Sequence, residues 1–312
     1  MRPSRGLMRF AVVGDCTLDI VVVPERRRRH AGDVPARIRL GPGGQAANVA
    51  VRLARRGESV RLVAPLADDL AGRLLREGLE REGVSIVPLP SPRSAVVAVL
   101  LDAGGERTML SDRQPLAAAT AAAAVAGVEW VHCSGYALLD DATGDSLAAA
   151  LGARPTSVRL SVGGGSLPPQ RTRVARFRAR LRSARPQLCI LNRDEAGAML
   201  GRASPPAPEA ATRLASLADV VVVTAGADGS AAMLGGERLT GLPSNVAGPV
   251  LDATGAGDAY AAALIARLAS ASWPPHPGQL RRAMAAAGLL GARVARVAGA
   301  QGRVGGGRRR AR

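Results

Sequence analysis

Short runs of apolar, mostly β-branched residues return along this chain with Ala/Leu/Arg-rich stretches between them, and this alternation constrains the fold most. Residues 10–13, 60–63, 95–101, 128–133, 158–161, 188–191 and 220–223 read as strands. Residues 45–56, 70–82, 115–126, 171–185, 208–217, 256–269 and 279–297 carry helical patterns. Several strand runs are continuously apolar rather than alternating, as expected where helices cover both faces of a parallel sheet. The pattern predicts an α/β protein with a doubly wound, mostly parallel central sheet flanked by helices. Length sets no second domain, and one domain over residues 8–304 is expected, with tails at 1–7 and 305–312.

One stretch breaks the rhythm. Between Asp19 and Leu40 an apolar run (20–23), an Arg-rich turn and a second extended piece (36–40) follow one another with no helix between them. This reads as a small β lid off the main sheet. A lone two-strand flap is marginal in water, so its apolar side needs cover. The expected cover is the same segment of a second subunit, with Val21 and Val23 in the contact. The four guanidinium groups Arg26–Arg29 should stay at the solvated tip.

Composition excludes several functions. All 42 basic residues are arginine, and they give a net charge of +17. Arginine is heavy throughout and densest at 26–29, 171–185 and 308–312, which describes solvated faces and tails. No recognition motif or aromatic interleaving accompanies it, so no nucleic-acid partner is expected. The absence of lysine excludes a Gly-rich-Lys-Ser/Thr phosphate loop, a protein-kinase phosphate lysine and Schiff-base chemistry. Cys16, Cys133 and Cys189 lack CxxC spacing and read as buried, reduced thiols of a cytoplasmic protein. The three histidines form no metal-ligand pattern. No apolar stretch reaches the roughly 18–20 residues that cross a bilayer, and no signal peptide is evident.

Four motifs carry chemistry. Gly41-Pro-Gly43-Gly44-Gln-Ala-Ala-Asn48 leads into a helix; its glycines admit close backbone approach to a ligand, and the helix start offers free N–H groups. A plain structural loop also explains it, and the match to a dinucleotide fingerprint lacks the acidic residue at the required distance. Asp252-Ala-Thr254-Gly255-Ala256-Gly257-Asp258 runs straight into another helix. The small residues can turn backbone N–H groups together as an anion hole. A lone aspartate there would only cap the helix, but beside an anion nest it is placed as a general base. Asn192-Arg-Asp-Glu195 follows an apolar strand and reads equally as a capping pattern. Thr224-Ala-Gly226-Ala-Asp-Gly229 reads on its own as a strand-to-hairpin turn.

In this order the four motifs resemble the ribokinase-like (PfkB) carbohydrate kinase family, over roughly residues 10–301. The family carries GG-x-x-x-N, N-x-x-E, T-x-G-x-x-G and D-T-x-G-A-G-D. This chain has Gly43-Gly44…Asn48, Asn192…Glu195, Thr224…Gly226…Gly229 and Asp252…Asp258. The resemblance implies an ATP-dependent phosphotransferase acting on a hydroxyl of a small sugar. Asp258 would be the base, with Gly255, Ala256 and Gly257 stabilising the transferring phosphoryl group. Asp19, Gly43, Gly44 and Asn48 would hold the sugar. Asn192 and Glu195 would organise Mg²⁺, Glu195 through water, while Thr224, Gly226 and Gly229 line the ATP site. Asp252 and Thr254 resemble positions near an activating monovalent-cation (K⁺) site, and the β lid resembles the family's lid and homodimer interface.

The departures bear on specificity. Gln45 stands where ribokinases place lysine, and Ser111-Asp-Arg113-Gln-Pro lacks the Arg-Gly-Ala-Asn continuation of relatives. Ser161-Val-Gly-Gly-Gly lacks the acidic residue and arginine of acid-sugar kinases, and 2% aromatic content argues against a nucleoside pocket. A nucleoside kinase of the same fold and a sugar-binding regulator without catalysis are the alternatives.

Overall fold

The computed structural model describes residues 9–25, 33–101, 107–116, 124–244 and 246–303. The expected tip Arg26–Arg29, both tails and most of the helix expected over 115–126 lie outside the described residues.

Strand β1 (Phe10–Val13) shows why the main sheet forms. All four of its residues are buried, with Phe10 and Val12 packing to one face and Ala11 and Val13 to the other. A strand that buries every side chain needs helices on both faces, and the sheet has them. Its order is β13-β12-β11-β10-β9-β8-β1-β4-β5. The members are β4 (Val60–Pro65), β5 (Ser85–Leu89), β8 (Trp130–Cys133), β9 (Arg159–Gly163), β10 (Leu188–Asn192), β11 (Val220–Thr224), β12 (Ser230–Leu234) and β13 (Glu237–Gly241). All pairs are parallel except β11–β12 and β12–β13, which close one edge as antiparallel ribbons.

Helices α1 (Gln45–Ala54), α2 (Leu70–Arg81), α8 (Ala256–Ala269) and α9 (Pro277–Val294) cover the face of Phe10 and Val12. On the face of Ala11 and Val13 lie α3 (Gly135–Leu139), α4 (Gly144–Gly152), α5 (Arg171–Ala184), α6 (Arg193–Leu200) and α7 (Ala207–Arg213). The chain winds from β1 to β4 in one direction and from β8 to β11 in the other. The carboxyl end of β1, beside β8, is therefore the switch point at which open α/β sheets bind ligands.

Four strands stand apart. The second sheet has the order β3-β2-β6-β7, with β2 (Thr17–Pro24), β3 (Ala36–Gly43), β6 (Ala95–Leu101) and β7 (Arg107–Asp112). The segment expected to leave the main sheet does so, but it is half of this sheet rather than a two-strand flap. Residues 95–101 read as a main-sheet strand; instead they pair in parallel with β2, Thr17 opposite Ala95. Their apolar run is half-buried in alternation, with Ala95, Val97 and Val99 inward. The ladder registers set Asp19 and Val21 on the face of Val97 and Val99. They set Ile20 and Val22 on the opposite face with Ile38, Leu40, Ala98 and Leu110. Ile38, Leu40 and Leu110 are 61%, 64% and 58% exposed. The outward apolar row of this face is led by Ile38, Leu40 and Leu110, with Ile20 and Val22 half-buried beside them; of the expected contact residues Val23 is exposed at 40% and Val21 is half-buried.

Candidate active site

The residue after the β1 loop glycine anchors one side of the site. Asp15 is buried, and its Oδ2 accepts the N–H of Gln45 (3.0 Å) while Oδ1 accepts the Ser134 hydroxyl (2.8 Å) and the Ala46 N–H (3.4 Å). The Arg113 guanidinium closes on Oδ2 and lies 3.7 Å from the centre of the Tyr136 ring. The carboxylate thus ties the amino end of α1, where anions are favoured, to the ends of β1, β7 and β8. Gly44 must be glycine. Its φ is 93°, and a Cβ would fall 2.6 Å from the Asp15 carbonyl oxygen. Gly43 is constrained less rigidly, because a Cβ there would meet the Asp19 carboxylate, a side-chain end that can move. Burial raises the pKa of Asp19, and a 2.7 Å hydrogen bond from Thr17 together with Arg113 opposes the rise.

One turn into α1, Asn48 reaches across to α8. Its Nδ2 donates to Asp258 Oδ2 at 2.8 Å, and its Oδ1 accepts from Gln301 Nε2 at 3.0 Å. Asp258 sits in the first turn of α8, and burial pushes its pKa up to about 7 against the Asn48 hydrogen bond. Gly255 caps that helix at φ 78°, with the Ala300 carbonyl oxygen 2.5 Å from where a Cβ would be. A Cβ on Gly257 would meet nothing within 4 Å, so the face above it is open, while the Ala256 N–H is turned to Ala253 O at 3.2 Å. Asp252 folds this loop: Oδ1 accepts the Thr254 N–H (2.9 Å) and Oδ2 the Gly299 N–H (3.0 Å).

The other side is built on β10 and β11, where Asn192 and Thr224 are register partners at adjacent strand ends. Asn192 and Glu195 form a reciprocal capping box on α6, with bonds of 2.8 and 2.7 Å. The capping reading of this motif is thus realised in the unliganded chain. The Glu195 carboxylate also lies directly against Gly164, and burial lifts its pKa to about 7, with the Asp258 charge adding to the rise. Gly226 (φ 58°) and Gly229 (φ 88°) form the turn from β11 into β12, which Asp228 ties to α6 through Arg193 at 3.0 Å. Gln45 joins the halves: its Oε1 accepts the Gly135 N–H (2.9 Å) and sits 3.1 Å from a Cβ position on Gly163. Asp19, Gly43, Gly44, Asn48 and Asp258 are therefore one cluster, and Asn192, Glu195 and Thr224 a second beside it. Gly226 and Gly229 lie at its outer end, and Asp252 and Thr254 behind α8.

Sequence reasoning missed Asp15, Ser134, Arg52 and Gln301. An aspartate one residue beyond the loop glycine after β1 was a usable signal for the first. Arg52, four residues after Asn48 on an otherwise apolar helix face, was a signal for the third.

Comparison with known proteins agrees with this architecture. The model of the pfkB family carbohydrate kinases matches residues 8–304. A fructokinase of Escherichia coli is 27% identical over 305 residues, covering 93% of this chain and 94% of that one. The crystal structure of fructokinase from Vibrio cholerae O395, bound to fructose, ADP and calcium ion, superposes with a TM-score of 0.76 at 23% identity, over 95% of this chain and 96% of that one. Adenosine kinase from Sinorhizobium meliloti superposes with a TM-score of 0.74 at 22% identity, over 95% and 96%. The fold is ribokinase-like, and no helix among the described residues is long and apolar enough to cross a membrane. With a family model spanning nearly its whole length, the chain belongs to the pfkB family of carbohydrate kinases, phosphotransferases with an alcohol group as acceptor.

Proposed function

We propose that the chain transfers a phosphoryl group from ATP to a hydroxyl of a small neutral sugar, with a ketohexose such as fructose the first to test. The observation that carries this is Asp258, held by Asn48 at 2.8 Å and raised by burial to a pKa of about 7. A base with that pKa is poised for proton transfer near neutral pH. Asp258 takes the proton of the acceptor hydroxyl, and Asn48 fixes the carboxylate's direction. Asp19, Gly43, Gly44 and Asn48 hold the sugar, the glycines allowing hydroxyls to approach backbone. The N–H groups of Gly255 and Gly257 would face the transferring phosphoryl group, for which the open side of Gly257 leaves room, and that of Ala256 would join them by leaving Ala253 O.

The residues on the nucleotide side fit Mg²⁺-bound ATP. Glu195, lifted by burial and by the charge of Asp258, is a carboxylate whose surroundings suit a divalent cation. Glu195 would contact Mg²⁺ through water, in keeping with that ion's habit of retaining several waters. Bound there, the metal and nucleotide supply the phosphoryl group and neutralise the charge that develops on it. Asn192 and Glu195 orient the metal's waters; Thr224, Gly226 and Gly229 line the nucleotide site. Asp252 and Thr254 hold a monovalent cation against the turn at Gly299.

A nucleoside acceptor is the second reading. Stacking a base needs an open aromatic face, and the Tyr136 ring is already covered by Arg113. ATP turnover with a panel of sugars and nucleosides, in K⁺ and in Na⁺, tests both. Turnover of a nucleoside above every sugar would overturn the first.

The kinase works as one domain over residues 8–304, in the cytoplasm, with the second sheet as its lid. We assign the exposed Ile38, Leu40 and Leu110, with the half-buried Ile20 and Val22 beside them, to a homodimer contact, since such aliphatic surface on one sheet face needs cover. Ile38→Ser with Leu40→Ser should convert a dimer to monomers by light scattering. A wild-type monomer would remove this part.

A further inference from the structure

Helix α1 buries one charged side chain. Arg52 is 3% exposed, yet its hydrogen-bond partners are neutral: Nη2 donates to Ala300 O (2.7 Å) and Nη1 to Gly302 O (2.9 Å). Its Nε is buried with no partner. A guanidinium buried on carbonyls rather than a carboxylate costs stability, so packing alone is a poor reason for it. Burial pulls its pKa down to about 10, which leaves it charged at neutral pH, and Asp258 is among the groups that hold it up.

What Arg52 grips is the turn over residues 299–302, and that turn touches the site at three places. Gly299 N–H binds Asp252, the Ala300 carbonyl backs Gly255, and Gln301 Nε2 donates to Asn48 Oδ1. The last contact decides how Asn48 is used. With Oδ1 taken by Gln301, the amide can present only Nδ2 to Asp258, which is the donor a carboxylate needs. Arg55 shares the grip, bonding Gln301 O at 2.7 Å, but its fork is neutralised by Glu82 at 2.7 and 2.9 Å.

We infer that Arg52 is a positioning residue for phosphoryl transfer: its buried guanidinium fixes the turn 299–302, and through Gln301 and Asn48 that turn aims Asp258 at the acceptor hydroxyl. The inference rests on Asp258 being the base. Of the charged groups bearing on Asp258, Asp15 comes from the end of β1, Glu195 from α6 and Arg52 from α1, and Arg52 supplies the positive charge. A residue that merely anchored the carboxyl-terminal turn would affect folding and leave kcat per folded molecule alone, whereas the midpoint of Asp258 reads the nearness of the Arg52 charge.

The test uses the full chain labelled with ¹³C-carboxyl aspartate, with Asp258→Asn identifying the signal, and turnover of ATP with D-fructose alongside. Arg52→Met should move the Asp258 midpoint upward by about 0.5–1 pH unit, because an opposing charge is lost. Arg52→Lys, which keeps the charge without the fork, should return the midpoint toward wild type. Gln301→Ala should lower kcat by about tenfold with KM for ATP unchanged, a loss confined to the chemical step. A midpoint within about 0.2 unit of wild type in Arg52→Met, with activity falling only as folded protein falls, overturns the inference. Should Arg52→Met fail to fold, Arg52→Lys and Gln301→Ala decide it: full kcat in both overturns it. If Asp258→Asn keeps more than about a tenth of wild-type turnover, the base assignment fails instead, while the midpoint shift still reads the Arg52 contact.

Discussion

Helices α6 and α8 begin alike and are held differently. Each has a carboxylate in its first turn, Glu195 and Asp258, and burial lifts both to a pKa of about 7. Glu195 is occupied by its own helix: its oxygen caps the Asn192 N–H, a bond three residues long in sequence. Asp258 is instead held from outside, by Asn48 from α1, which Gln301 orients in turn. A local cap can be exchanged for metal-bound water at the cost of one hydrogen bond. Asp258 is held by a side chain 210 residues away in sequence, so exchange of a cap within its own helix does not release it. Under the proposed assignment the same pKa would serve two tasks, a ligand that can be released to a metal and a base that stays in place.

The largest test of this difference is Asp258→Asn. It should lower kcat by about 10²–10⁴, the worth of a general base, and leave ATP binding intact. Retention of more than about a tenth of wild-type turnover would make the two carboxylates interchangeable in role and end the comparison.

Glu195→Gln should act more mildly and elsewhere. The amide can still cap α6 but is a weaker partner for metal-bound water, so the Mg²⁺ needed for half-maximal rate should rise by about tenfold. A raised sugar KM with unchanged metal dependence would put Glu195 in the acceptor half.

The parts of this site that could be read from the chain are those whose partners are close in sequence. Gly255 to Asp258 and Gly43 to Asn48 each contain their own loop and helix start, so the chemistry shows in eight or fewer consecutive residues. Asp15 could not be assigned that way, because its carboxylate is explained by Ser134 and Arg113, 119 and 98 residues on. Gln301 looks like an ordinary tail residue until the turn over 299–302 folds back on α1, and Arg52 shows its spacing from Asn48 but not the partners that hold it. The doubly wound sheet followed from β-branched runs such as 220–223. Its hairpin edge showed only in the turn at 224–229, because Ser230–Leu234 itself is alanine-rich and carries little strand preference. Ser85–Leu89 was hidden by Pro88, which is tolerated there because β5 is an edge strand. The second sheet was half seen: Arg107–Asp112 is polar and takes its place from pairing with Ala95–Leu101.

Two glycines should separate the halves of the site with smaller effects. Asp19 lies against Gly43 and Glu195 against Gly164, so one methyl group at either position displaces one carboxylate. Crowding of this kind costs about 1–3 kcal/mol, which reads as a rise of roughly tenfold in one KM. Gly43→Ala should raise the sugar KM and spare that for MgATP, and Gly164→Ala should do the reverse. Equal effects on both constants in each variant would mean that the two halves respond as one rigid body.

The smallest effect concerns stability, and its sign follows from the raised pKa of Asp258. In the unfolded chain this group ionises near the ordinary aspartate value of about 4, and in the folded chain at about 7. Between those values the folded state holds a proton that the unfolded state has lost, so raising the pH favours unfolding. The folded protein is penalised across that window and remains penalised above it, because the buried carboxylate is then charged. Asparagine carries no such penalty and can still pair with Asn48. Asp258→Asn should therefore be more stable than wild type at pH 8, by of order 1–3 kcal/mol, or a few degrees in Tm. That gain should shrink steadily below pH 7 and be gone near pH 4. Thermal melts of both proteins across this range, without ATP or metal, measure it directly. An advantage that does not change with pH would mean that Asp258 ionises normally, and that its hydrogen bond to Asn48 rather than its burial sets its chemistry.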